Sequence, residues 1–319
     1  MKTVMMGSGA MGSLFGGLLT LAGEEVWVVG NRKDQIDTIR SVGLTFEGKG
    51  ESRIIPMKAT LDVTSVGKAD LVIFFVKTYD TEIAVSDALV LEKGDTIFLT
   101  LQNGLGNEEV ICQKIDRKKV MLGVTGHGAT LLRPGHIRHA GWGKTFIGEL
   151  DHRVTDRAVR ISQMFCNAGI ETEVSSSIHD HVWGKLLANV GINALTALTG
   201  FKNGQLLDYP ESARLMERLV MEALEVARRK GVHLEEDPVE KVRKTIEATK
   251  ENRSSMGQDF DHRRKTEIEA INGAVVKEAQ SLEIPVPFNQ ALTDLVKAIE
   301  KSFCIGHPDI DSDWQGVRR

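Results

Sequence analysis

The chain has 319 residues, of which 41% are hydrophobic and 26% charged, enough for about two domains of an ordinary soluble protein. A formal net charge of −4 gives no strong field for nucleic acid or an anionic membrane. Its three cysteines, Cys112, Cys166 and Cys304, lie far apart without a C-x-x-C pair, which argues against a disulfide framework or a metal site and for a reducing cytoplasm.

Taken in order, Thr3 to Met6 predicts a strand, Ala10 to Ala22 a helix and Glu25 to Val29 a second strand. The runs Leu71 to Val76 (LVIFFV) and Thr96 to Leu101 (TIFLTL) are apolar without alternation. Strands buried on both faces read this way, which predicts a parallel sheet covered by helices. Val120 to Thr125 predicts another strand, and His136 to Gly148, with scattered Gly, Thr and aromatic residues, an edge hairpin. No apolar run nears the ~20 residues needed to cross a bilayer, and no cleavable signal precedes the first strand. The polar segment Val174-Ser-Ser-Ser-Ile178 offers an N-terminal cap. Helical patterns follow at 179–199, 211–231, 238–250, 260–282 and 288–303. Ile284-Pro-Val-Pro287 separates the last two, because proline lacks an N–H and disfavours helix just before it. From Gly306 a polar tail is expected. The fold class is α/β: a Rossmann-type, mostly parallel sheet domain over residues 1–174, then an all-α C-terminal domain over 175–319.

Gly7-Ser-Gly-Ala-Met-Gly12 is G-x-G-x-x-G, placed directly after a strand and opening a helix. Its glycines allow a tight turn, close approach to a pyrophosphate, and close packing of helix on strand. The helix N-terminus presents free N–H groups and a positive dipole end to the phosphates, which gives Gly7, Ser8, Gly9, Ala10, Met11 and Gly12 as cofactor contacts. The end of the second strand discriminates between dinucleotides, since an NAD enzyme commonly carries a carboxylate there for the ribose hydroxyls. This chain has Gly30-Asn31-Arg32-Lys33. An Arg fork suits a 2′-phosphate, so Arg32 points to NADPH/NADP+.

Residues 182–200 form a nearly all-apolar helical stretch whose polar exceptions Lys185, Asn189 and Asn193 fall at i, i+4 and i+8, on one face. An ammonium on such a helix must face a partner or a cleft. Gly184 and Gly191 within it suggest close approach of another surface. A second polar cluster holds Asn252-Arg-Ser-Ser-Met256 and Arg264 to Gly273. There Glu267 sits on a predicted helix, and pattern alone does not choose it over Glu269.

These motifs together resemble the ketopantoate reductase (2-dehydropantoate 2-reductase) family. The resemblance rests on the glycine motif, Gln102-Asn-Gly104, Trp183-Gly-Lys-Leu-Leu-Ala-Asn189 with Asn193, Asn203-Gly204, Asn252 to Met256, and Thr266-Glu-Ile-Glu-Ala-Ile-Asn-Gly273, in the family's order over nearly the whole chain. It implies reduction of ketopantoate to (R)-pantoate with NADPH, a step toward pantothenate and coenzyme A, by a monomer or homodimer acting on a small 2-keto acid. By the same resemblance Lys185 matches the proton donor. Asn189, Asn193, Asn203, Asn252 and Ser255 match substrate-binding positions, and Lys77, Asn103 and Gly128 match cofactor contacts. Glu267 matches an active-site carboxylate. Gln102 and the loop His127-Gly-Ala129 depart from the family pattern and leave the keto acid open.

The chemistry implied is hydride delivery to the ketone carbon with a proton from Lys185, at an interdomain cleft and without a metal. A β-hydroxyacid dehydrogenase relative would carry a different motif around its lysine. A non-enzymatic NADP(H) sensor has no reason to keep a buried lysine.

Overall fold

Strands and helices alternate from the first residues of the computed structural model, which describes residues 1–234 and 237–304. The expected tail beyond Gly306 lies outside the described residues. In order come β1 (Lys2–Met6), α1 (Ala10–Leu21), β2 (Glu25–Val29), α2 (Lys33–Val42), β3 (Leu44–Gly48), β4 (Glu51–Ile55), β5 (Lys58–Thr60), β6 (Leu71–Phe74) and α3 (Thr81–Ala88). Then follow β7 (Ile97–Thr100), α4 (Asn107–Cys112), β8 (Val120–Thr125), β9 (Gly128–Arg133), β10 (His136–Gly141), β11 (Thr145–Glu149), α5 (Asp156–Asn167) and β12 (Thr172–Val174). The helical half holds α6 (Ile178–Thr199), α7 (Gln205–Asp208), α8 (Pro210–Arg229), α9 (Pro238–Ala248), α10 (Ser255–Asp261), α11 (Asn272–Ser281) and α12 (Pro287–Cys304). The chain forms two compact units, Met1–Val182 and one beginning at Trp183.

In the first unit an eight-stranded sheet runs in the order β12-β11-β8-β7-β6-β1-β2-β5. The six strands from β8 to β5 are parallel, and only β11 meets its neighbour β8 antiparallel. Successive residues of each inner strand go to opposite faces. Met5, Ile73, Leu99 and Met121 join Leu14, Phe15 and Leu19 of α1 and Phe165 of α5 in one core. Val4, Val72, Phe74, Phe98 and Leu122 join Val85 and Ala88 of α3 and Ile111 of α4 in another. Burial on both faces is why these runs show no polar alternation.

Two expectations need correction. Residues 136–148 do not pair as one hairpin: β10 joins a separate four-stranded sheet of order β4-β3-β10-β9, while β11 enters the main sheet beside β8. Phe46 and Ile137 of the small sheet insert into the α1-side core, so its apolar residues serve that core. The stretch 260–282 is likewise not one helix. It breaks at Arg263, whose φ is 51°, and at Ile271, whose φ/ψ of −106°/−93° is not helical.

The second unit is helical throughout its described residues. Its most buried helix is α6, and a Cβ at Gly191 would lie 2.9 Å from Val220 Cγ2 and 3.2 Å from Met216 Cγ of α8. The helices therefore touch there as the glycine suggested; at Gly184 the nearest atom is at an ordinary 3.8 Å. Buried Asn272 at the start of α11 donates to the Val190 carbonyl at 3.3 Å and to Asn289 Oδ1 at 3.0 Å. That pair of bonds ties α11 and α12 to the middle of α6.

Candidate active site

The expected cofactor residues of the first unit gather at the carboxyl ends of five neighbouring parallel strands, β2, β1, β6, β7 and β8. Chain connections diverge on either side of β1, the usual position of a nucleotide crevice. Gly7 follows β1 with a φ of +123°, and a Cβ there would lie 2.8 Å from the Phe75 carbonyl carbon. At Gly12 a Cβ would come within 1.9 Å of the Gly7 carbonyl oxygen. Over Gly9, by contrast, nothing lies within 4 Å. Gly9 caps α1 without a side-chain bond, and no acidic residue occupies the first turn. A helix N-terminus with room beside Gly9 and no carboxylate in its own first turn fits a pyrophosphate.

Lys77 caps a short 3₁₀ turn beyond β6, and Asn103 lies in the loop beyond β7. Gln102 ties these two loops together by donating to the Val76 carbonyl at 2.9 Å and to Thr81 Oγ1 at 2.8 Å. The Asn103 carbonyl accepts from Asn107 Nδ2 at 3.0 Å. Gly128 opens β9, next to a buried pair in which His127 Nδ1 and His139 Nε2 lie 2.9 Å apart. Burial and its partner pull His139 down to about 4, so the imidazoles stay neutral at physiological pH. At the tip of β2, Arg32 caps α2, and its guanidinium lies 2.8 Å from Asp34 Oδ2. Sequence reading found no carboxylate at this tip; the first turn of α2 brings one back to it. Hydrogen bonding from Arg32 holds the Asp34 carboxyl below its ordinary range. Lys33 is paired with Asp37.

In the second unit Lys185, Asn189 and Asn193 all lie on α6, with Asn193 buried and the other two half-buried. Desolvation pulls the Lys185 ammonium down to about 8, and the negative charge of Glu267 opposes that shift. Glu267 is 7% exposed and precedes a 3₁₀ turn at Ile268–Ala270, so it is not on a helix as expected. Glu269 instead bonds Lys297 at 2.6 Å on the surface. Tertiary structure thus separates two carboxylates that the pattern left equal.

Asn203 is buried, donates from Nδ2 to Thr249 Oγ1 at 2.9 Å, and its backbone N–H donates to the Asn252 carbonyl at 2.9 Å. The side chains of Asn252 and Ser255 are exposed. Between them, Arg253 and Ser254 do the anchoring. Ser254 caps α10 and accepts from Thr196 of α6 at 2.6 Å. Arg253 donates to the Thr196 and Phe201 carbonyls and grips Asp261 with two bonds of 2.8 and 2.9 Å. Both lie in the polar cluster Asn252-Arg-Ser-Ser-Met256 noted in the sequence, but neither was given this anchoring role there.

A sequence profile described as ketopantoate reductase PanE/ApbA matches residues 3–152, and its C-terminal counterpart matches residues 177–300. The chain belongs to the ketopantoate reductase family. A 2-dehydropantoate 2-reductase of Halobacterium salinarum is 38% identical over 302 residues, covering 94% of this chain and 99% of that relative. A ketopantoate reductase structure of the PanE/ApbA family from Ralstonia eutropha superposes with a TM-score of 0.88 at 32% identity, over 95% of this chain and 100% of that one. A ternary structure of D-mandelate dehydrogenase with NADH and anilino(oxo)acetate has a TM-score of 0.88 at 26% identity, over 95% of this chain and 99% of that one. The family fold thus extends across both units.

Proposed function

We propose that the chain reduces 2-dehydropantoate (ketopantoate) to (R)-pantoate with a nicotinamide cofactor, NADPH in preference to NADH. The observation that carries the reading is Lys185, an ammonium on a buried helix brought down to about 8, with a buried carboxylate as its charge partner. A lysine poised there is protonated at neutral pH and gives up its proton readily. Family membership supplies the reaction class, and Arg32 at the tip of β2 supports the 2′-phosphate.

Bound dihydronicotinamide supplies hydride to the ketone carbon. Lys185 stabilises the charge that gathers on the carbonyl oxygen and passes a proton from Nζ to it. The products are a 2-hydroxy acid and a neutral amine, which regains its proton from water. Glu267 favours the charged lysine between turnovers, and Asn189 and Asn193 offer neutral amides to the substrate's carboxylate and hydroxyl groups. In the same reading Asn203, Asn252 and Ser255 border the substrate. The turn from Gly7 to Gly12, with Lys77, Asn103 and Gly128, holds the nucleotide.

The likeness to D-mandelate dehydrogenase favours a second reading, in which the acid carries an aromatic side chain. Purified protein supplied with NADPH or NADH and a panel containing 2-dehydropantoate, phenylglyoxylate and pyruvate decides between them. The proposal expects 2-dehydropantoate with NADPH to give the highest kcat/KM. Preference for phenylglyoxylate supports the second reading, and no turnover of any 2-keto acid contradicts both.

A further inference from the structure

Gln35 is a polar residue on the buried face of α2 beside Ile36 and Ile39, and it is wholly buried. Its Nε2 donates to the Ser8 carbonyl at 3.0 Å and to Ser13 Oγ at 3.3 Å. Its Oε1 accepts from the Gly135 N–H at 2.7 Å. Ser13 Oγ in turn donates to the same Ser8 carbonyl at 3.2 Å. One carbonyl of the glycine turn is thus held inward by two donors, and the amide that holds it is fixed from the β9–β10 turn.

The peptide group is planar and trans, so the N–H of Gly9 points opposite to the Ser8 carbonyl. Inward anchoring of that carbonyl turns the Gly9 N–H the opposite way, at a residue that is itself exposed and has room for a Cβ beside it. We infer that Gln35 is a positioning residue for the cofactor: it sets the Ser8–Gly9 peptide so that the Gly9 N–H meets the pyrophosphate. The inference rests on the nucleotide site proposed above. It also gives the small sheet a task, because the Gly135 turn of that sheet orients the Gln35 amide.

Two substitutions test it. Gln35→Met keeps the volume and removes the hydrogen bonds, so NADPH affinity should fall by about tenfold while kcat at saturating NADPH is kept. Gln35→Glu provides the more specific signature. When protonated, its buried carboxyl donates to the Ser8 carbonyl and accepts from Gly135; when ionised, it sets a negative charge against that carbonyl and beside the phosphates. Burial favours the protonated form. The ratio of variant to wild-type Kd for NADPH should therefore stay small near pH 6 and rise steadily toward pH 9, by about tenfold or more. Arg32, Lys33, Asp34 and Asp37 on α2, and Arg133 and His136 around the Gly135 turn, are common to both proteins and cancel in the ratio. A merely structural role would lower the melting temperature of either variant without a pH-dependent change in nucleotide affinity. Wild-type affinity in folded Gln35→Met, or a flat ratio for Gln35→Glu, overturns the inference. Wild-type protein that binds neither NADPH nor NADH contradicts the cofactor reading instead, which is a distinct result.

Discussion

An ammonium buried without compensation costs several kcal/mol, and for Lys185 the compensating charge is that of Glu267. Its pKa of about 8 arises from desolvation and is limited by Glu267. As a general acid the lysine must be protonated, so kcat for reduction should be level below about pH 8 and decline above it, about tenfold per pH unit. Glu267→Gln removes the charge that supports the ammonium, so the alkaline limb should move to lower pH. A pH–rate profile checks both, and an unmoved limb in Glu267→Gln contradicts the coupling. At the cofactor end, Arg32→Ala should lower the NADPH/NADH ratio of kcat/KM by about tenfold, while Asp34→Asn, which frees the guanidinium, should raise it. Steady-state rates with each nucleotide measure this; an unchanged ratio in both variants means that the tip of β2 does not read the 2′ position. The stripe of Lys185, Asn189 and Asn193 was legible because its spacing is local to one helix. Glu267 was legible only through the family resemblance and not from pattern, because only tertiary structure places it near Lys185 and sends Glu269 to Lys297.

At the scale of elements, long uniform patterns were read well and composite ones were not. The apolar run of α6 and the inner strands β6 and β7 declare themselves because burial surrounds them. The stretch 260–282 kept a helical composition while the chain turned at Arg263 and again at Ile271. Hydrophobic periodicity does not register a break that preserves the apolar positions. The small sheet was missed for a related reason: β3 and β10 pair in parallel across about ninety residues of chain, and no local turn signals that partnership. The loop before α10 depends on Arg253, whose bonds to the end of α6 and to Asp261 fix Asn252 and Ser255. Arg253→Met should raise KM for the keto acid about tenfold and leave KM for NADPH nearly unchanged. Equal increases in both constants would show a general folding defect rather than a displaced substrate loop.

Across the whole molecule, sequence order predicted a mostly parallel sheet first and a helical unit second, and the elements follow that order. It was legible because the glycine motif and the lysine helix each carry their own local signature. The choice of keto acid was not, since in the proposed reading substrate fit depends on side chains from α6, α10 and the turn at Glu267, which lie far apart in sequence. In the proposed reaction Lys185 supplies the proton in a nicotinamide-dependent reduction. The most direct measurement is kcat for 2-dehydropantoate with saturating NADPH in wild type, Lys185→Ala and Lys185→Gln, alongside NADPH affinity in each. If Lys185 is the proton donor, kcat falls by about 10²–10⁴ in both variants, the usual contribution of a general acid, with nucleotide affinity retained. The glutamine amide can donate a hydrogen bond but cannot release a proton. A Lys185→Ala protein that turns over at the wild-type rate would mean that Lys185 is not the proton donor.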